Sequence, residues 1–334
     1  MLRLYSRKDG CLKGLDLTLK EGDRPSDHEP CPIWLDIINP SMADDHYAER
    51  LFGISIPTRE EMQEIEASAR LYSSQGAEFM TVTAIVHLDT DAPFATPVTF
   101  IIKGNCLATV RYEEIKPFDT FAARALHADH VNTSCGEQIM LGLLESMIDR
   151  LADGMERVGV QIDGISREVF RHKNTNGRST KDRDFQKALI MIGREGELLG
   201  MLRESLVSLN RLLTWHTAGT NGDGQGGKEI RARIKVMQRD VISLTDHASY
   251  QSTKVAFLLD ATLGLINLEQ NQIIKIFSIA AVCLMPPTLV ASIYGMNFKN
   301  IPELDFTYGY PMALIAMVVS AIVPVLYFRS KGWL

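Results

Sequence analysis

Residues 294–304 read YGMNFKNIPEL and lie between two apolar segments. Gly295 lets the backbone approach other chains closely or take a positive φ. Asn297 offers a neutral carboxamide oxygen, which can bind the water around a cation without trapping the ion as a carboxylate would. Glu303 and Asp305 keep the loop acidic despite Lys299. These residue types suit the mouth of a cation pathway. A turn that merely joins two helices uses the same ones.

The apolar segment before the loop carries a pattern. Asn271, Ile274, Ser278, Ala281, Met285, Thr288, Ser292 and Gly295 recur by threes and fours, a heptad-like stripe on the smaller and more polar face. In lipid such a face must turn to protein or to water. A ring of these helices would enclose a narrow polar pore, and close helix packing through small residues is the alternative. Pro286-Pro287 is expected to interrupt the helix, either as a simple kink or as a carbonyl site in a pore wall.

Two other patterns lead nowhere. GDGQGG at 222–227 fits a dinucleotide fingerprint, but a helical segment ending in TWH precedes it where a strand is required. His127 and His130 stand three apart with no third ligand nearby, which fits a surface helix better than a metal site. No nucleophile, base and orienting group come together, so no enzyme activity is expected.

The elements that position the loop follow from periodicity. Residues 1–135 read as an α/β domain. There, 97–114 is a hairpin about a Gly-Asn turn, 58–72 a helix capped by Thr58, and 78–90 a strand. A helical hairpin occupies 136–227, with helices at 136–172 and 181–216 and breaks at 173–180 and 217–227. Residues 228–294 read as a stalk helix running into a first membrane helix at about 273–294. No single globular core covers such a length, so the stalk must pack on copies of itself or on other helices. The loop 295–309, a second membrane helix at 310–328 and a basic tail at 329–334 complete the chain.

Arg329 and Lys331 put the C-terminus in the cytoplasm by the positive-inside rule, and two crossings put the N-terminus there too. The start MLRLYSRKDG, which lacks a signal-peptide core, agrees. Asp260 and Glu269 lie on the stalk near the membrane, at the level expected for Arg329 and Lys331; solvated or paired interface charge is the simplest role for them. Five cysteines without a CxxC pair fit a reducing compartment. The formal charge of −6 argues against a nucleic-acid partner.

YGMNF, preceded by LEQNQIIKIFSIAAVCLMPPTLVAS and followed by IPEL, YGYP and a terminal KGWL, resembles the CorA family of magnesium transporters, the enterobacterial type in particular. The likeness is strong over about 260–334 and extends weakly over the rest, where EEMQEIEASAR and WLDIINPS take part. It implies a homopentameric funnel in the bacterial inner membrane: an α+β membrane protein with a cytoplasmic α/β domain, a pore-lining stalk helix and an outer second helix. It implies Mg²⁺ influx, with Co²⁺ and Ni²⁺ as lesser substrates and cytoplasmic Mg²⁺ holding the pore closed. It requires neither nucleotide nor nucleic acid.

By that resemblance the selectivity filter is Gly295, Met296 and Asn297, with Asn297 meeting the ion through its hydration shell. The pore-lining positions are Asn271, Ile274, Phe277, Ala281, Met285 and Thr288. Phe277 and Ser278 compete for one layer, and Ile274 with Phe277 forms a constriction able to gate by dewetting. Mg²⁺ gives up its water reluctantly, so an amide ring that reads the hydrated ion suits it. Many relatives carry an acidic residue where this chain has Lys299, which weakens any electrostatic funnel. The rival cargo is zinc, perhaps proton-coupled. The rivals of other classes are a two-helix membrane sensor, whose outer domain the short loop is too small to supply, and a membrane-anchored enzyme.

Overall fold

The computed structural model describes residues 1–8, 11–17, 32–127, 132–171, 181–219, 225–297 and 306–333. It divides into two compact units, Met1–Asn176 with Lys187–Leu258, and Gly177–Gln186 with Leu259–Leu334.

The first unit is built on one sheet. Its strands are β1 (Leu2–Lys8), β2 (Cys11–Leu17), β3 (Trp34–Ile38), β4 (Leu71–Ser74), β5 (Ala77–Val86), β6 (Phe94–Lys103) and β7 (Cys106–Arg111). Their order is β2-β1-β3-β7-β6-β5-β4. Among the described residues only β3 and β7 pair in parallel. All five residues of β3 are buried, and they alternate between two cores. Leu35 and Ile37 join a cluster with Tyr47 and Phe52 of α1 (Met42–Phe52). Trp34 faces the other way, stacked on Tyr5 at 4.2 Å and edge-on to Phe121 of α4 (Lys116–His127) at 6.0 Å.

On that second side Asp36 holds a buried polar chain. Its carboxylate accepts from Arg111 Nη2 and from the Thr109 hydroxyl, both at 2.8 Å, and Thr109 accepts from the Trp34 indole at 2.9 Å. Both charged side chains are at most 1% exposed. Breaking a buried pair of this kind costs about 3–5 kcal/mol, because one charge is left uncompensated.

The expected hairpin at 97–114 is present as β6 and β7, with Lys103 opposite Cys106. Gly104 takes the left-handed φ of 59° that the turn demands. The strand expected at 78–90 is β5, which stops at Val86 because His87 turns the chain at φ 54°.

The expected helix at 58–72 needs correction. Thr58 does cap a helix, with Glu61 completing a capping box, but α2 (Arg59–Gln63) lasts one turn. A single turn, α3 (Ala67–Arg70), then leads into β4, where Tyr72 pairs and stacks with Phe79 at 4.7 Å. Sheet pairing overrides helix propensity in this stretch.

Three long helices follow: α5 (Gly136–Arg171), α6 (Lys181–Gly219) and α7 (Gln225–Tyr294). The break expected over 217–227 is shorter, because α6 continues to Gly219 and α7 starts at Gln225. Residues 173–180 and 220–224 lie outside the described residues. The sheet and α6 are joined by polar hooks. β4 pairs with β5 only as far as Met80, which leaves the backbone of Thr83 without a strand partner on that side. Ser208 Oγ accepts from Thr83 N at 2.9 Å, and Ser205 Oγ donates to Thr83 O at 2.6 Å.

Near the end of α6, His216 lies between Glu78 of β5 at 3.0 Å and Glu137 of α5 at 2.8 Å. Burial opposes protonation of His216, but the bonds to Glu137 and Glu78 outweigh it and hold the pKa at about 9. The folded pKa is therefore raised above the ordinary imidazole value of 6.5. The stability this triad contributes is full below the unfolded value and is lost as pH rises through about 9. Thermal melts between neutral and strongly basic pH are expected to show that decline, and His216→Gln is expected to flatten it.

Candidate functional site

The loop and stripe residues belong to α7 and to the second unit. α7 is 70 residues long, about 105 Å at 1.5 Å per residue. Within the first unit it buries Ile230, Ile234, Met237, Val241, Ala248 and Leu258. Arg233 ties that part to α5 through Glu145 at 2.6 Å. The opposite positions are exposed at strict intervals of seven: Val236, Ser243, Tyr250 and Phe257.

The same interval continues through Gly264, Asn271, Ser278, Met285 and Ser292, all exposed. Reading the sequence for the stripe found only its membrane part. The upstream half was open to the same count, but its aromatic members do not look polar and small. A repeat of seven this long favours left-handed supercoiling of neighbouring helices.

In the second unit the pore candidates Asn271, Ile274, Phe277, Ala281, Met285 and Thr288 are all exposed and share one side of α7, within about 60° of a line at 3.6 residues per turn. Phe277 is 72% exposed, and Ser278 is exposed on the other edge of the same stripe. The opposite side is shielded. Ile279 is 7% exposed, and Lys275, Cys283, Pro286, Val290 and Tyr294 on that side are half-buried.

The expected interruption at Pro286-Pro287 is absent, since α7 runs through both prolines to Tyr294. The prolines free the carbonyls of Val282 and Cys283. The Thr288 hydroxyl adds a donor in the next turn, bonded to Leu284 O at 3.1 Å and Met285 O at 2.8 Å. Those are not the carbonyls that the two prolines free.

α7 ends at Tyr294, where the Gly-Met-Asn sequence begins. Gly295 N donates to Ala291 O at 2.9 Å and Met296 N to Ile293 O at 3.3 Å. Gly295 does not use a positive φ. Its role is close approach, because a Cβ there would lie 3.1 Å from Ala291 O. Met296 and Asn297 follow, both exposed. Lys299, Glu303 and Asp305 lie outside the described residues. So does His130, while His127 ends α4.

The second apolar helix, α8 (Gly309–Ser330), is exposed on nearly every side, with Ala313 alone buried. Only 11% of the apolar stretch of α7 and 6% of that of α8 is buried, so neither is the core helix of a soluble domain. Asp260 and Arg329 are exposed, Glu269 is half-buried and Lys331 is exposed; none forms an ion pair among the described residues. Among the described residues no three His, Cys, Asp or Glu side chains gather as a metal site within one chain.

Two apolar, little-buried helices, one of them carrying a polar stripe and continuous with the helix of an α/β unit, have the length and composition to cross a membrane. The chain belongs to the CorA-like Mg²⁺ transporter protein family, whose match spans residues 32–330. The magnesium transport protein CorA of Pectobacterium atrosepticum is 33% identical over 313 residues, covering 92% of this chain and 94% of that protein. The magnesium transport protein CorA of Escherichia coli is 32% identical over 302 residues, covering 90% and 92%.

The complete structure of the CorA magnesium transporter from Methanocaldococcus jannaschii matches with a TM-score of 0.75 over 100% of this chain and 99% of that one, at 18% identity. The cytoplasmic domain of ZntB from Vibrio parahaemolyticus matches 79% of this chain and 97% of that one, with a TM-score of 0.54 at 6% identity. Likenesses at such identities establish the fold alone. Membership of a transporter family removes the enzyme and sensor readings.

Gly295→Val is expected to press its branched side chain on the Ala291 carbonyl and unseat the filter. Mg²⁺ uptake by cells that depend on this protein should fall to background, while the amount of folded protein in the membrane stays unchanged.

Proposed function

We propose that this chain assembles as a homopentameric Mg²⁺ channel of the bacterial inner membrane, with both termini in the cytoplasm. The stripe of α7 lines the pore, and Gly295, Met296 and Asn297 form its outer mouth. The observation that carries this reading is the exposed stripe itself: it repeats every seven residues from Val236 to Ser292, faces away from the shielded side, and ends at the filter sequence. Five such stripes facing one axis would bury what a single chain leaves bare.

The chemistry along the stripe fits a hydrated divalent ion. Amides at Asn271 and Asn297 bracket a stretch in which Ile274 and Phe277 form the narrow apolar gate. Thr288 spends its hydroxyl proton on backbone carbonyls, which leaves its oxygen lone pairs free to accept from the ion's water. Glu303 and Asp305 would draw cations to the mouth, and Lys299 would temper that field.

Transport runs down the electrochemical gradient. An inside-negative potential contributes about 4.6 kcal/mol per 100 mV to a divalent ion, so no nucleotide is required. Co²⁺ and Ni²⁺ follow the same route as lesser substrates. Cytoplasmic Mg²⁺ favours the closed state and so shifts the population. Carboxylates supplied by neighbouring copies would hold that regulatory ion.

Asn297→Ala is expected to leave the oligomer intact in detergent and to abolish selective Mg²⁺ uptake into proteoliposomes; normal uptake would remove Asn297 from the ion's path. Hexaamminecobalt(III), an inert ion about the size of hydrated Mg²⁺, is expected to block the wild-type protein from outside. Undiminished uptake in its presence would count against recognition of the hydrated ion.

A further inference from the structure

One charge on α7 sits inside the apolar stretch. Lys275 lies on the shielded side of the helix, half-buried, with its Nζ over the Trp333 ring at 5.2 Å from the centroid. Trp333 reaches that position because the chain folds back at the end of α8. Gly332 takes a φ of 69°, and its N–H donates to Arg329 O at 3.1 Å. Trp333 N–H donates to Phe328 O at 3.0 Å, and the indole stacks on the Phe328 ring at 5.5 Å. Arg329 and Lys331 flank this fold-back and are exposed.

Lys275 and the Trp333 indole therefore meet at one end of two apolar helices, with Arg329 and Lys331 close to Trp333 along the chain. Among the described residues no carboxylate pairs with Lys275, Arg329 or Lys331. The indole face attracts the Lys275 ammonium but carries no net charge to neutralise it. A tryptophan at the end of an apolar span sits at headgroup depth. An ammonium at that depth needs an anion, and in a bilayer the anion at hand is the phosphodiester of an acidic lipid.

We propose that Lys275, Arg329, Lys331 and Trp333 form a binding site for the phosphate of an anionic phospholipid of the phosphatidylglycerol class. The lipid phosphate bridges the foot of α7 to the end of α8, and the indole lies along its glycerol backbone. This goes beyond the general attraction of basic ends to an acidic leaflet, because it names a fixed site. It rests on the reading that α7 and α8 span the bilayer.

The test uses the full-length protein in phosphatidylcholine vesicles doped with brominated phosphatidylglycerol or, at the same mole fraction, brominated phosphatidylcholine. Trp333 emission is taken as the difference between wild type and Trp333→Phe, and Mg²⁺ uptake is followed in the same vesicles. Several-fold stronger quenching by the brominated anionic lipid is expected. That preference should vanish in Lys275→Gln with Lys331→Gln and persist in excess inorganic phosphate.

Equal quenching by the two lipids overturns the site and leaves the transport reading untouched. Loss of the preference on adding inorganic phosphate also overturns it, because the ligand is then a free anion. Absence of quenching by either lipid, together with absence of uptake, removes the membrane-spanning reading on which the site rests.

Discussion

A helix of 70 residues cannot bury itself, and most of this molecule answers that constraint. One side of α7 is satisfied within the first unit by Ile230, Ile234, Met237, Val241 and Ala248, at the spacing of a helix seam. The other side is largely bare among the described residues, where Phe257 alone of the stripe stacks on a ring of another helix, Phe170 of α5 at 6.3 Å. That side would be a liability in a monomer, with Tyr250 63% and Phe257 60% exposed. Repeated in register along the helix, it becomes the wall that copies of the chain can share. The first unit therefore covers one face of α7 with its own core and leaves the other largely exposed.

The rest of the first unit supports that helix. The buried pair of Asp36 and Arg111 locks the parallel junction between β3 and β7. Ser205 and Ser208 fix α6 to the sheet through the Thr83 backbone, and His216 does so through the Glu78 carboxylate. In the second unit the same economy appears with opposite chemistry. Shielded positions such as Ile279 and Cys283 carry no charge apart from Lys275, which finds an indole. Polar oxygens lie on the open stripe, where only water or another copy can satisfy them.

Much of this was legible in the sequence, where local signals decide. The α5 and α6 segments, the β6–β7 hairpin and the two apolar helices each announce themselves by period, length or turn residues. The family was legible too, through a Gly-Met-Asn sequence between two apolar segments with Pro-Glu-Leu after it. What stayed hidden depends on distant partners. The capping box at Thr58 is real, yet Tyr72 leaves the helix because Phe79 awaits it in the sheet. The pairing of β3 with β7 joins Trp34 to Leu107 across a long stretch of chain, and no local pattern reveals it. Pro286 and Pro287 look like a break but are tolerated within α7. The full length of the stripe was missed because its upstream half includes the aromatic Tyr250 and Phe257 while its apolar-segment half is small and polar, although one count of seven joins them.

The central claim is that hydrated Mg²⁺ follows the α7 stripe, driven by the membrane potential alone. The most direct measurement is divalent uptake into liposomes holding the purified protein, under a set inside-negative potential, comparing Mg²⁺ with Zn²⁺ and with and without a proton gradient. The account predicts Mg²⁺ entry that scales with the potential and ignores the proton gradient. Zn²⁺ entry that follows the proton gradient, with Mg²⁺ excluded, would contradict it.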